Sequence, residues 1–305
     1  PTLLLESILN VLKLTPEPDF NHLNSTLNVN YSNKHILLVE DNELNQQVVL
    51  GFLEETQVNI DIADNGKIAL EKLANKAYDL VFMDVQMPVM DGITATKEIR
   101  LQEQFKDLPI IAMTAHVVPE ELNKCFDAGM NEYFTKPIDP KSLITLLAKC
   151  FSVSEPYYLP LKTEKSSSKN SFNKLPCRGK TPHDQFIKDI TALKEINATK
   201  ALTMMEGREE IFKKIVIGFY HSASDTMKLM ETQFNDRSYK ELYITIHSLK
   251  SNAAYIGAYT LSTLADKLEV LIGSNNITPE LGQTDKTKIE KLLNQVCAEL
   301  NLVFL

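Results

Sequence analysis

Two residues of this chain pair a side chain able to carry a phosphoryl group with a setting that would present it. Asp84 closes the apolar run Asp79-Leu80-Val81-Phe82-Met83-Asp84, and the chain breaks at once into Val85-Gln86-Met87-Pro88-Val89-Met90-Asp91-Gly92. Such a run reads as a buried strand, and a Pro/Gly loop directly after it places the carboxylate at the solvent rim of a sheet. Far downstream, His247 opens the segment His247-Ser248-Leu249-Lys250-Ser251 within a helical pattern. Lys250 and Ser251 fall at i+3 and i+4, so they share the imidazole's face and give it a cation and a small neighbour.

Other chemistry-bearing residues follow further apolar runs. Glu40 and Asp41 end the first, Thr114 the fourth, and Lys136 follows the fifth. Carboxylates that converge at strand ends repel one another unless a cation sits among them, and Mg²⁺ is the hard, oxygen-seeking ion for such a set. Asp84 would then attack phosphorus to form an aspartyl phosphate. Lys136 would meet the transferring oxygens with positive charge and Thr114 with a hydroxyl hydrogen bond. Alone, a strand-end Asp is more often a helix cap and a Lys-Pro pair more often a loop. Their occurrence together in the right elements carries the reading.

The elements that must position these residues divide into an α/β unit and a helical unit. Apolar runs predict strands over 35–40, 58–63, 79–83, 109–113 and 131–134, alternating with helices over 44–55, 67–75, 93–103, 119–128 and 140–150. That alternation specifies a parallel five-stranded sheet of flavodoxin-like, doubly wound type, whose site lies at the carboxyl ends of its strands. From Pro182 onward the pattern is helical, with stretches over 208–220, 223–234, 239–255, 259–271 and 279–302, and predicts a four-helix bundle. The expected division is a tail over 1–33, the α/β domain over 34–151, a linker over 152–181 and the helical domain over 182–305. Residues 1–14 repeat the apolar spacing that follows Pro140 and are expected to be either the last helix of an earlier copy of the α/β unit or an ordinary amphipathic helix.

Composition excludes several classes. The chain has 305 residues, 44% of them hydrophobic and 24% charged, with a net charge of −8. Residues 34–151 carry 19 acids against 11 Lys and Arg, which argues against direct nucleic-acid contact, since that needs a basic face. The four cysteines are scattered, with no zinc spacing. No apolar run reaches the roughly 18 residues a membrane span needs. The linker is basic, Ser-rich and aperiodic, and a flexible segment of that length spans roughly 30 Å. Exchange between Asp84 and His247 within one chain is therefore expected.

Residues 35–151 resemble the receiver domain of two-component signalling. The resemblance rests on Leu38-Val39-Glu40-Asp41-Asn42, Met83-Asp84-Val85-Gln86-Met87-Pro88, Ile111-Ala112-Met113-Thr114-Ala115 and Lys136-Pro137-Ile138, four separated motifs in order. It implies that Asp84 accepts phosphate, that Glu40, Asp41, Asp84 and the backbone carbonyl of Gln86 hold Mg²⁺, and that Thr114 and Tyr133 shift when phosphate arrives. The segment Ile246-His247-Ser248-Leu249-Lys250-Ser251-Asn252-Ala253-Ala254-Tyr255-Ile256-Gly257-Ala258, with Leu268-Glu269, resembles a histidine phosphotransfer domain, although Ser251 stands where that family usually has glycine. It implies that His247 is a second acceptor, supported by Lys250 and Ser251.

Together the two resemble the C-terminal portion of a hybrid sensor histidine kinase. The implied function is a phosphorelay from a kinase core, expected upstream in the same parent chain, to Asp84, then His247, then the receiver of a separate response regulator. No stretch resembles an ATP-binding kinase core. The resemblance places the segment in the cytoplasm without membrane contact and allows a parent anchored in the inner membrane. Two other readings stand beside it. A flavodoxin-like cofactor binder is opposed by Asp41-Asn42-Glu43, which would repel a cofactor phosphate. A scaffold or regulatory interaction module would carry the same elements without phosphotransfer.

Overall fold

The computed structural model describes residues 30–115, 119–151, 182–274 and 279–304. The five predicted strands are β1 (His35–Val39), β2 (Asn59–Ala63), β3 (Leu80–Asp84), β4 (Ile110–Thr114) and β5 (Glu132–Thr135). They form one parallel sheet in the order β2-β1-β3-β4-β5. This is the doubly wound order whose switch point lies between β1 and β3. Helices α1 (Glu43–Leu53), α2 (Gly66–Asn75), α3 (Gly92–Arg100) and α4 (Pro119–Asp127) provide the crossovers, and α5 (Pro140–Cys150) follows the last strand.

The central strands β3 and β4 are buried at every residue, which is why their sequences are continuous apolar runs rather than alternating ones. Polar caps set where the helices begin. Asn42, Asn65, Asp91 and Asp139 each accept backbone N–H groups of the first turn of α1, α2, α3 and α5. At Gly92 a Cβ would collide with the backbone carbonyl of Asp84. Only glycine lets α3 start so close to the end of β3.

The helical unit comprises α6 (Pro182–Thr191), α7 (Ala198–Met204), α8 (Glu209–Asn235), α9 (Tyr239–Ile256), α10 (Tyr259–Gly273) and α11 (Pro279–Phe304). The last four close on one another in a bundle, α8 on α9, α9 on α10, α10 on α11 and α11 on α8. The stretches expected over 208–220 and 223–234 form one helix. Helix α8 is continuous because the buried series Phe212, Ile215, Val216, Phe219, Ala223, Met230 keeps helical spacing, and nothing between these residues stops a helix. The short helices α6 and α7 were also not separated by the sequence reading. Helix α9 ends at Gly257 (φ 85°), where a Cβ would come within 2.6 Å of the Asn197 carbonyl oxygen.

The two units share one continuous apolar core, in which Leu44, Val49 and Phe52 of α1 join Phe212, Ile215 and Phe219 of α8. Two glycines bring these helices together. A Cβ at Gly218 would collide with Leu44, and one at Gly51 would come within 2.7 Å of Ile211 Cδ1. Arg208 adds polar ties, donating to the Gly51 carbonyl at 3.0 Å and lying 3.6 Å from Glu55. The expected helix over 1–14 and the linker over 152–181 lie outside the described residues.

Candidate functional site

Parallel register sets the ends of the strands abreast. Val39 lies beside Met83, Asp84 beside Met113, and Thr114 beside Thr135. The side chains just beyond them therefore meet. Lys136 Nζ lies 2.7 Å from Asp84 Oδ2 and 2.7 Å from Glu40 Oε2, with all three side chains about 1% exposed. Asn45 donates to Glu40 Oε1 at 2.6 Å, and the backbone N–H of Gln86 to Asp84 Oδ1 at 3.2 Å. Ligand oxygens of Glu40, Asp41 and Asp84 all lie within 4.8 Å of one another.

Crowding and burial show in the acidities. Burial, then the charge of Glu40, raise the Asp84 carboxyl well above its ordinary range, against the pull of Lys136. The same causes raise Asp41 to about 7. Thr114 is buried, and its carbonyl accepts from the Lys136 N–H at 2.7 Å. Tyr133 is half-buried in β5 with its ring edge-on to Phe126 at 6.2 Å.

One expectation fails here. Asp84 does not face solvent but is 1% exposed, and α9 lies over the strand ends, where its Asn252, Tyr243 and Tyr255 meet Asn42, Gln86 and Ile138 of the loops after β1, β3 and β5. Lys136, Pro137 and Ala115 on one side, and Lys250, Ser251 and Ala254 on the other, line a shared cavity of about 210 Å³.

On α9, Leu242, Ile246, Leu249 and Ala253 pack into the bundle. His247, 3% exposed, is held by a carboxylate, its Nδ1 lying 2.7 Å from Glu269 Oε1 on α10. Glu269 Oε2 in turn lies 2.6 Å from Lys250 Nζ, which is 3.2 Å from Asp266. Burial alone would raise the Glu269 carboxyl, but its contacts with His247 and Lys250 lower it to about 2. Burial lowers the His247 pKa despite Glu269, with nearby Lys136 acting in the same direction. The imidazole is thus neutral near pH 7. With Nδ1 engaged by a carboxylate, the lone pair falls on Nε2, which is buried without a hydrogen-bond partner. Ser251 Oγ is likewise buried and unpartnered, while the Tyr243 ring stacks on the imidazole at 6.5 Å and 23°.

Glu269 and Tyr243 escaped the sequence reading as site residues. Glu269 lies 22 positions from His247, too far for any local spacing rule. Tyr243, one turn before His247, was visible in principle as an i−4 neighbour.

Comparison with known proteins bears on both halves. The response regulator receiver domain family matches residues 36–148, and the Hpt domain family matches residues 214–299. The chain carries a receiver domain followed by an Hpt domain. Hybrid signal transduction histidine kinase M of Dictyostelium discoideum is 40% identical over 119 residues, 37% of this chain and 5% of that protein. The aerobic respiration control sensor protein ArcB of Escherichia coli is 26% identical over 236 residues, 77% of this chain and 27% of that protein. Among solved structures, the receiver domain of a sensor histidine kinase of Pseudomonas aeruginosa, with a magnesium ion in its active site cleft, is 37% identical. That match covers 39% of this chain and 98% of the other, with a TM-score of 0.38. The chain thus spans only a small part of its curated relatives, and its organisation is that of the C-terminal portion of a hybrid kinase.

In the Hpt domain the neutral imidazole offers a nucleophilic nitrogen. In the receiver domain a carboxylate and an ammonium group lie at the other side of the same buried seam. Among the described residues no helix is long and apolar enough to cross a membrane.

Proposed function

We propose that Asp84 and His247 are consecutive stations of a phosphorelay. Asp84 receives a phosphoryl group from a histidine kinase core, expected upstream in the parent protein, and exchanges it with His247. His247 delivers it to the receiver of a separate response regulator. On this reading the receiver domain extends over 34–151 and the phosphotransfer domain over 182–305, in a cytoplasmic segment.

The observation that carries the reading is the buried Nε2 of His247, free of hydrogen bonds, on a helix that covers the Asp84 pocket. In the exchange, Nε2 attacks phosphorus, the bond from phosphorus to an Asp84 oxygen breaks, and its electron pair stays on the carboxylate. The positive charge that appears on the imidazole is met by Glu269, which Lys250 holds in place. Lys136 meets the transferring oxygens, and Thr114 donates a hydroxyl hydrogen bond to them. Thr114 and Tyr133 rearrange as phosphate arrives.

Glu40, Asp41 and Asp84, with the Gln86 backbone carbonyl, would hold Mg²⁺. The set fits such an ion, being all oxygen, clustered within 4.8 Å and carrying more negative charge than Lys136 balances. When bound, the ion neutralises the carboxylates and the incoming phosphoryl oxygens.

Incubating the whole chain with acetyl phosphate and Mg²⁺ tests the proposal. Label is expected on an alkali-labile acyl phosphate and then on an acid-labile phosphohistidine. Asp84→Asn should lose both, and His247→Gln only the second. A wild-type chain that takes up no phosphate would overturn the proposal and favour a scaffold role.

A further inference from the structure

The loop that carries Lys136 is held from two domains. Its ammonium group reaches Asp84 Oδ2 and Glu40 Oε2, each at 2.7 Å. Where that group stands depends on the backbone of Lys136-Pro137-Ile138, because a buried side chain moves with its own Cα. These three residues offer two backbone N–H donors, since proline has none. The Lys136 N–H donates to the Thr114 carbonyl at 2.7 Å, within the receiver. The Ile138 N–H donates to the Tyr255 hydroxyl at 2.8 Å, and Tyr255 belongs to α9 of the Hpt domain. Ile138 is 1% exposed and Tyr255 fully buried, so neither partner is open to water.

The receiver thus fixes one end of the loop and the Hpt domain the other. A contact between two packed side chains would serve docking alone. A hydrogen bond to the peptide two residues after Lys136 also bears on where the lysine stands. That placement matters because the ammonium group must meet oxygens on which charge develops, and a misplacement of about 1 Å costs on the order of 10²-fold in such steps. Tyr255 lies eight residues beyond His247 on α9, roughly 12 Å along the helix. Its path to the reaction runs through the receiver's loop.

We propose that Tyr255 is a positioning residue for Lys136, by which the docked Hpt domain completes the receiver's own site. The proposal rests on the phosphoryl exchange proposed above.

The test follows whole chains labelled on Asp84 by acetyl phosphate and Mg²⁺, after the donor is removed. Tyr255→Phe keeps the ring that fills the core and leaves the Ile138 N–H buried and unpaired. It should slow transfer from Asp84 to His247 by roughly five- to thirtyfold. In a His247→Gln chain, where the acyl phosphate is lost to water, Tyr255→Phe should lengthen its lifetime by about twofold or more, because Lys136 meets the same oxygens when water attacks. A hydroxyl that only held the domains together would have the opposite effect, since losing it would open the seam, admit water and shorten the lifetime. An unchanged transfer rate, or a lifetime that is unchanged or shorter, would overturn the positioning role. A wild-type chain labelled on Asp84 but never on His247 would instead bring down the exchange itself, while the lifetime in the His247→Gln chain would still decide whether Tyr255 places Lys136.

Discussion

At the residue scale, the Hpt site is a charge network in which Glu269 serves two nitrogens, His247 Nδ1 and Lys250 Nζ. Its carboxyl is lowered from an ordinary value of 4.5 to about 2. A depressed folded-state pKa means that the unfolded chain binds the proton first as pH falls. The contribution of Glu269 is therefore complete above pH 4.5 and lost as pH drops through about 2. His247, also lowered, acts with the same sign below its ordinary value of 6.5. Glu269→Gln should cost ~1–3 kcal/mol in urea unfolding at pH 7 and slow phosphorylation of His247. Because the wild-type carboxyl is itself protonated at low pH, the stability gap should close toward pH 2. A gap constant with pH would show that the ionised carboxylate is not what Glu269 contributes. Asp84 and His247 stand out in the sequence as candidates because their own neighbours distinguish them. Glu269 does not, because its partnership exists only once α9 and α10 pack together.

At the element scale, the strands were legible because a buried parallel strand leaves a short apolar run bounded by turn residues, as β3 and β4 do. Helix α8 was misread at its middle, where the polar pair His221-Ser222 interrupts the apolar run on the exposed side while the buried face continues through Ala223. What local patterns do not reveal is how closely two elements approach. Gly92 read only as a loop glycine, yet it is where the start of α3 touches the carbonyl of Asp84. In Gly92→Ala the new methyl must displace either α3 or the end of β3, since backbone cannot rotate away as a side chain does. The expected cost is ~1–3 kcal/mol in urea unfolding, together with slower phosphorylation of Asp84 by acetyl phosphate. A variant that matches wild type in both measurements would refute the close approach.

At the scale of the whole molecule, the sequence predicted two units on a tether but not the seal between them. That seal depends on complementary shapes, Leu44 over Gly218 and Ile211 over Gly51, contributed by helices from different domains. A continuous apolar core couples the stability of each domain to the other. Scanning calorimetry of the wild-type chain should accordingly show one cooperative transition. Gly218→Leu inserts a branched side chain where Leu44 already sits, and its two neighbours on α8, Ile215 and Phe219, are buried and leave no room to rotate away. The domains should then part without either losing its own core. Two transitions are expected, with saturating Mg²⁺ raising only the receiver's, because a ligand stabilises the unit that binds it. Opening the seam should also expose Asp84, so Gly218→Leu should be phosphorylated faster by acetyl phosphate while its transfer to His247 slows. A single transition at the wild-type Tm would mean that the glycine seat couples nothing, and that the burial of Asp84 has another source.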